Sequence, residues 1–299
     1  MIRLRKWRNA VALLVVCMIV GLLGACGGSN SKTIAVGSKD FTESFILAEL
    51  YSIALEDAGF KVERKFNLGA TAVAHAAMEK GDIDLYPEYT GTGMLQVLKL
   101  PMITDPQEVY EKVKSGYLEK YNMVWLAPAE ANDSQGLVIT KEASDKYGIK
   151  TISDLQREAA NIRFAATPIF EEVADGLPAL EATYGEFNFK SMKAYDNGLR
   201  YQILDNGEAD LAVAFTTEGQ LTDPKYVLLE DDKHVWPPYN IAPIVNKKTL
   251  DKYPEIEEIL NKVSAKLDTP TMQRLNGEVD LKKREYQEVA KEFFEENFK

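Results

Sequence analysis

One thirteen-residue pattern occurs twice in the chain and limits its fold more than any other feature. Gly81 to Gly93 and Gly207 to Gly219 align without gaps at the opening Gly, the Asp-Leu pair, the Thr and the closing Gly. Tyr89 falls on Phe215. Each copy reads as a short buried strand, Ile83 to Leu85 in the first, running into an aromatic turn punctuated by glycine. Two copies of one strand-and-ring unit predict two similar lobes, each offering a ring to a shared cleft. Coincidence between two ordinary strand ends is the alternative.

The first residues are set aside before any reasoning about fold. Arg3, Arg5, Lys6 and Arg8 form a basic region and Val11 to Leu22 an apolar one. Leu23-Gly24-Ala25-Cys26 then fits a bacterial lipoprotein signal, with Cys26 lipidated and becoming the new N-terminus. Residues 1–25 are expected to be removed, and 26–32 to form a flexible tether. An uncleaved anchor is the alternative, but the apolar run is short for a span of about 20 residues. Cleavage removes Cys17 and four positive charges, taking the formal charge from −11 to −15. So acidic a surface repels phosphate backbones, which argues against nucleic acid as a partner. No disulfide is left to form, so the core alone must hold the fold. The expectation is an extracytoplasmic protein held to a membrane by its acyl chains.

A chain of 299 residues can carry two cored domains. Thr33–Gly37 reads as a buried strand, and about Phe41 to Ala58 as a helix with a capping box from Asp40 and Glu43. Lys61 to Asn67 alternates like a strand, and a helix from Gly69-Ala70-Thr71 to Lys80 delivers the first motif. Gln107 to Lys120 is an amphipathic helix and Met123 to Leu126 a strand. Gly136 to Thr140 leaves the first lobe for the second. There a helix from Ser153, a strand Ile162 to Ala166 and a helix beginning near Thr167-Pro168 restart the pattern. Phe189 to Tyr195 is extended, and Gly198 to Asn206 is a helix that feeds the second motif. Ile241 to Val245 re-enters the first lobe, and the rest is helical with a stripe of Ile256, Ile259, Leu260 and Val263. The prediction is an α/β fold of two lobes, 33–135 with 239–299 and 136–238, joined by two hinge crossovers.

Familiar catalytic signatures are missing. The two histidines, His75 and His234, have no metal-like spacing, and there is no nucleophile elbow or phosphate loop. No metal or cofactor is implied. An enzyme on this scaffold would have to use Glu88, Glu171 or Asp133. Binding is the better expectation. Tyr89, Phe215 and Tyr239 all fall at strand ends or crossovers, where open α/β sheets border their ligand crevice. Several converging ring faces suit a cation that cannot donate hydrogen bonds, each worth up to about 2 kcal/mol when dry. Ordinary core packing of the rings is the competing explanation.

The runs Gly37 to Glu43, Gly81 to Gly93 and Pro237-Pro238-Tyr239 resemble the substrate-binding proteins of osmoprotectant ABC importers, which bind glycine betaine, choline or carnitine. The likeness covers essentially the whole chain beyond the signal. It implies a type II periplasmic-binding-protein fold, a monomer, no enzymatic activity, and a permease partner with ATPases on separate chains. It places the cage aromatics on Tyr89, Phe215 and Tyr239, and the contacts to the ligand's polar end on Lys39 and Thr92. Two positions depart from the family pattern. Gln135 stands where many members have a tyrosine, and Val173 where betaine binders often carry an arginine. Asp133 would face the cation instead. These departures predict a quaternary-ammonium ligand other than glycine betaine. With ring faces carrying recognition, Tyr89→Phe is expected to be silent.

Overall fold

The computed structural model describes residues 32–299 other than 169 and 174; the signal segment and Cys26 lie outside the described residues. In chain order the strands are β1 (Thr33–Gly37), β2 (Lys61–Lys65), β3 (Leu85–Tyr89), β4 (Met123–Trp125), β5 (Gln135–Thr140), β6 (Arg163–Ala166), β7 (Ser191–Ala194), β8 (Leu211–Phe215), β9 (Tyr226–Leu228) and β10 (Ile241–Asn246). They form two five-stranded sheets, ordered β2-β1-β3-β10-β4 and β7-β6-β8-β5-β9. The two orders correspond position by position. In each sheet the motif strand runs parallel to the strand preceding it in the order and antiparallel to one supplied by a crossover: β3 to β10, and β8 to β5.

The identities between the two motif copies have structural causes. Gly81 and Gly207 follow helices with φ of 75° and 67°, left-handed values that favour glycine. Asp84 accepts the Ala35 amide of β1 at 2.8 Å, and Asp210 accepts the Arg163 amide of β6 at 2.9 Å. Leu85 and Leu211 are fully buried at the strand starts. Thr90 Oγ1 donates to Pro238 O and accepts from Asn240 N, both at 3.0 Å. Thr216 Oγ1 donates to Asn132 O and accepts from Ser134 N at 2.9 Å. Each threonine thus fastens the end of its motif strand to a crossover. The crossovers also pair with each other through a bridge between Asn132 and Asn240.

The motif strand lies later than expected. Residues 83–84 precede it, and it runs through the Tyr-Pro-Glu-Tyr segment that reads as a turn. Antiparallel pairing with β10 explains this. Thr90 N–H bonds Asn240 O at 3.0 Å, and hydrogen-bonded pairs alternate with non-bonded ones, so the facing prolines Pro87 and Pro243 occupy a pair that needs no amide. Tyr89 is therefore the last residue of a strand, and Thr90–Thr92 turn directly into a helix and a π-helical turn, Gly93–Val97.

A second difference concerns Pro168. The helix after β6 does not begin there but at Leu177, with Pro178 in its first turn. Buried Phe170 draws the intervening segment inward, and Leu177 N–H closes on Phe170 O at 2.8 Å. Four helices from Lys247 to Phe298 complete the first half, and Ile256, Leu260 and Val263 sink into its core as the stripe predicts.

One of these four, the helix Thr269–Asp280, touches the second half directly. Its Gly277 meets Gly219, the last residue of the second motif: a Cβ on Gly219 would lie 2.4 Å from Gly277 Cα. Gln273 and Asn276 on the same helix donate to the carbonyls of Thr216 and Thr217 at 2.8 and 2.9 Å. Gly219→Ala is expected to cost about 1–3 kcal/mol in urea unfolding. Gly198→Ala, where a Cβ meets nothing within 4 Å, should stay within about 0.5 kcal/mol of the parent.

Candidate functional site

The ends of β3 and β8, the two crossovers and the N-terminus of helix Thr42–Asp57 surround a cavity of about 520 Å³. Lys39, Tyr89, Thr92, Asp133, Gln135, Phe215 and Tyr239, the seven residues singled out in the sequence, all line it. Tyr89 and Phe215 hold matching places as the last residues of their strands, opposite Ile241 and Gln135.

The rings are not bare. Lys39 Nζ sits 4.4 Å from the Tyr89 ring centroid and 5.6 Å from that of Phe41. The Arg200 guanidinium carbon lies 5.7 Å from the Phe215 centroid. Both cations are engaged in turn. Lys39 pairs with Glu88 at 2.5 Å, the two being 4% and 0% exposed. Glu88 also accepts the Tyr89 amide at 2.9 Å and the Tyr86 hydroxyl at 3.2 Å. Arg200 pairs with Glu218 at 2.6 Å and donates to the Val213 carbonyl.

Glu43 does not cap its helix. The N-cap is Phe41, without a side-chain bond, and the Glu43 carboxylate turns inward to accept from Tyr89 OH at 2.8 Å and Asn276 Nδ2 at 2.7 Å. Burial raises its pKa against the lowering effect of these bonds. Two partners beneath the cleft hold it more firmly than a solvent-exposed cap would. Tyr89→Phe is consequently expected to have an effect of its own, because it strips Glu43 of a donor. Burial first, and the Glu43 charge next, push the Tyr89 phenol well above its usual range.

Asp133 accepts from Thr217 Oγ1 at 2.6 Å. Desolvation, followed by repulsion from Glu43, lifts its carboxyl well above the ordinary carboxylate range. Asp175 accepts from Tyr239 OH at 3.1 Å and Gln135 Nε2 at 3.2 Å. Burial and the Asp175 charge raise the Tyr239 phenol. Val173 is not part of the lining. Asp280 brings the lining carboxylates to five, against Lys39 and Arg200 as the cationic side chains. Among the described residues, Glu43, Asp133, Asp175 and Asp280 make no ion pair. No group of His, Cys, Asp and Glu suited to a metal ion occurs among the described residues, and no helix there is long and apolar enough to cross a membrane.

Sequence reasoning left ten of the lining residues unnamed as cavity residues, Glu43, Arg200 and Asn276 among them. Glu43 carries a capping spacing that masks its inward role. Asn276 reaches Glu43 across 233 positions of chain, which no local pattern records. Arg200 begins a helix and resembles any other solvent-facing arginine in sequence.

Residues 32–296 match the substrate binding domain of ABC-type glycine betaine transport systems. The chain belongs to that family. The carnitine transport binding protein OpuCC of Listeria monocytogenes is 33% identical over 284 residues, 94% of this chain and 91% of that protein. A Helicobacter pylori protein named ergothioneine transport permease/ergothioneine binding protein is 35% identical over 268 residues, 89% of this chain. The match covers 48% of that protein, so the chain spans about half its length. A solved structure of a glycine betaine/carnitine/choline ABC transporter superposes with a TM-score of 0.83 at 27% identity, over 88% of this chain and 98% of the other. The fold, two sheets flanked by helices, is that of a type II periplasmic-binding protein, as the sequence resemblance implies. Members of the glycine betaine transport family are extracytoplasmic substrate-binding components of ABC transporters rather than enzymes.

Removing one partner of a buried ion pair strands the other charge in a poor solvent. Glu88→Gln is therefore expected to destabilise the chain by about 3–5 kcal/mol in urea unfolding, with Tyr86→Phe costing about 1 kcal/mol.

Proposed function

We propose that this chain captures a quaternary-ammonium solute such as choline, carnitine or a bulkier betaine and delivers it to an ABC permease whose ATPases are separate chains. The observation that carries the reading is one cavity receiving Tyr89, Phe215 and Tyr239 from both motif copies and a crossover, with carboxylates outnumbering cations in its wall. The Lys39–Glu88 and Arg200–Glu218 pairs carry no net charge, so the repulsion each cation exerts on a positive ligand head is offset by its partner carboxylate. The remaining carboxyls have no cation of their own among the described residues, so a positive ligand favours their ionised forms. A permanent cation then draws on ring quadrupoles and acidic side chains together.

The relatives are named for more than one solute, carnitine and ergothioneine among them. Selection therefore rests on this chain's own lining. Gln135 removes one ring face from the family pattern, and Val173 removes an arginine; Arg200 is already held by Glu218. Each such loss is worth one to a few kcal/mol, so glycine betaine should bind about a hundredfold or more weaker than the best ligand. Calorimetric titration of a solute panel tests this, and micromolar glycine betaine binding would overturn it. Tyr239→Ala and Tyr89→Ala should each weaken the best ligand about tenfold or more.

The lobes are proposed to be 33–135 with 239–299 and 136–238, hinged where Thr90 and Thr216 grip the crossovers. The protein is proposed to act as a monomer tethered through lipidated Cys26, outside any membrane-crossing role for the folded part.

Ligand binding should be linked to protons. The raised Asp133 carboxyl keeps its proton at pH values where an ordinary carboxylate has lost it. A cation beside it favours the ionised form, so binding should expel a proton and affinity should rise with pH until the ligand-free group is ionised. Titrations in buffers of different ionisation enthalpy, between about pH 5 and pH 8, read the proton directly. For the ligand-free fold the sign is opposite: the unfolded chain ionises first, so this group's contribution to stability is lost as pH rises from the ordinary carboxylate range toward the raised one.

A further inference from the structure

We propose that Asp175 is a specificity-determining residue that accepts a hydrogen-bond donor on the ligand's tail and turns away a carboxylate. The inference rests on the quaternary-ammonium reading and extends it to the second pole of the ligand. Three separated segments meet at this carboxylate. Gln135, the first residue of β5, and Tyr239, on the returning crossover, both donate to its Oδ2, at 3.2 and 3.1 Å. Among the described residues nothing donates to Oδ1, and a carboxylate accepts at about four sites. Acceptor capacity is left over on a group that lines the cavity.

The backbone that carries this carboxylate is also held in place from behind. Trp236, 6% exposed, donates its indole N–H to the Asp175 carbonyl at 2.8 Å. The next residue, Gly176, is pressed so close to Phe170 that a Cβ would lie 2.2 Å from its carbonyl oxygen. A preorganised acceptor discriminates between donors better than a mobile one. A ligand carboxylate reaching it would meet a like charge without a spare cation to offset it, since Lys39 and Arg200 are paired with Glu88 and Glu218. A hydroxyl or amine would instead complete its hydrogen bonding. Tyr239 joins the two poles, lining the cavity that takes the head group while its hydroxyl donates to Asp175.

Three probes separate the poles: tetramethylammonium, which is a head without a tail; choline, with a hydroxyl; and glycine betaine, with a carboxylate. Calorimetry on the full chain should find choline at least tenfold tighter than tetramethylammonium, and glycine betaine weaker than both. In Asp175→Asn the choline-to-tetramethylammonium affinity ratio should fall at least tenfold, and the glycine betaine-to-tetramethylammonium ratio should rise at least tenfold. If either ratio stays within threefold of the parent, the role assigned to Asp175 is wrong. Should the variant fail to fold, as read by its thermal melt, the unaltered chain decides: glycine betaine bound as tightly as choline overturns the inference. Failure of all three probes to bind the unaltered chain overturns the quaternary-ammonium reading itself, a result distinct from unmoved ratios with tetramethylammonium bound.

Discussion

The antiparallel pairing of each motif strand with a crossover strand is the constraint from which the remaining architecture follows. β3 is zipped to β10 and β8 to β5, so the two segments that pass between the halves are also structural members of the sheets. Pairing carries each motif strand outward until its ring, Tyr89 or Phe215, stands at the strand end. The threonine that follows then seals the junction by bonding the crossover backbone twice. Backbone amides and carbonyls at such a junction would otherwise be orphaned, at a cost comparable to a lost hydrogen bond each. Rings and junction are thereby made by the same few residues. The cavity is a consequence of how the halves are connected.

Electrostatics in that cavity is a matter of cancellation as much as attraction. Burying Lys39 and Arg200 is tolerable because Glu88 and Glu218 lie within 2.6 Å of them. Those pairs also brace the rings, placing a positive charge over Tyr89 and another near Phe215. The wall that faces a ligand is then governed by acids that have hydrogen-bond donors but no cations. Glu43 receives Tyr89 and Asn276, Asp133 receives Thr217, and Asp175 receives Gln135 and Tyr239. Donors of this kind hold a carboxyl in position without supplying a positive charge, so a positive solute is what favours the ionised form of the raised Glu43 and Asp133.

The duplicated motif is legible to a useful depth because its identities answer local demands. A left-handed turn calls for glycine, and an extended strand start calls for a buried leucine. The ring after the strand is legible too, through its position in the pattern. Tyr86-Pro87-Glu88-Tyr89 reads as a turn and is a strand, because proline forbids a strand only where an amide is required, and Pro243 lies opposite it in a pair that requires none. Glu43 misleads for a related reason. Its spacing from Asp40 suits a cap, but a carboxylate goes to the best set of donors, and those arrive from Tyr89 and from a helix near the C-terminus.

Residue order alone determined the α/β alternation and the two ring-bearing motif copies, because periodicity and turn chemistry act over a few neighbouring positions, and it singled out seven of the side chains that line the cavity. Folding in three dimensions decided who partners whom. Lys39 finds Glu88, Arg200 finds Glu218, and Asp175 gathers Gln135 and Tyr239. These contacts join residues tens of positions apart. Coulomb and hydrogen-bond energies depend on distance through space, and separation along the chain carries no information about that distance.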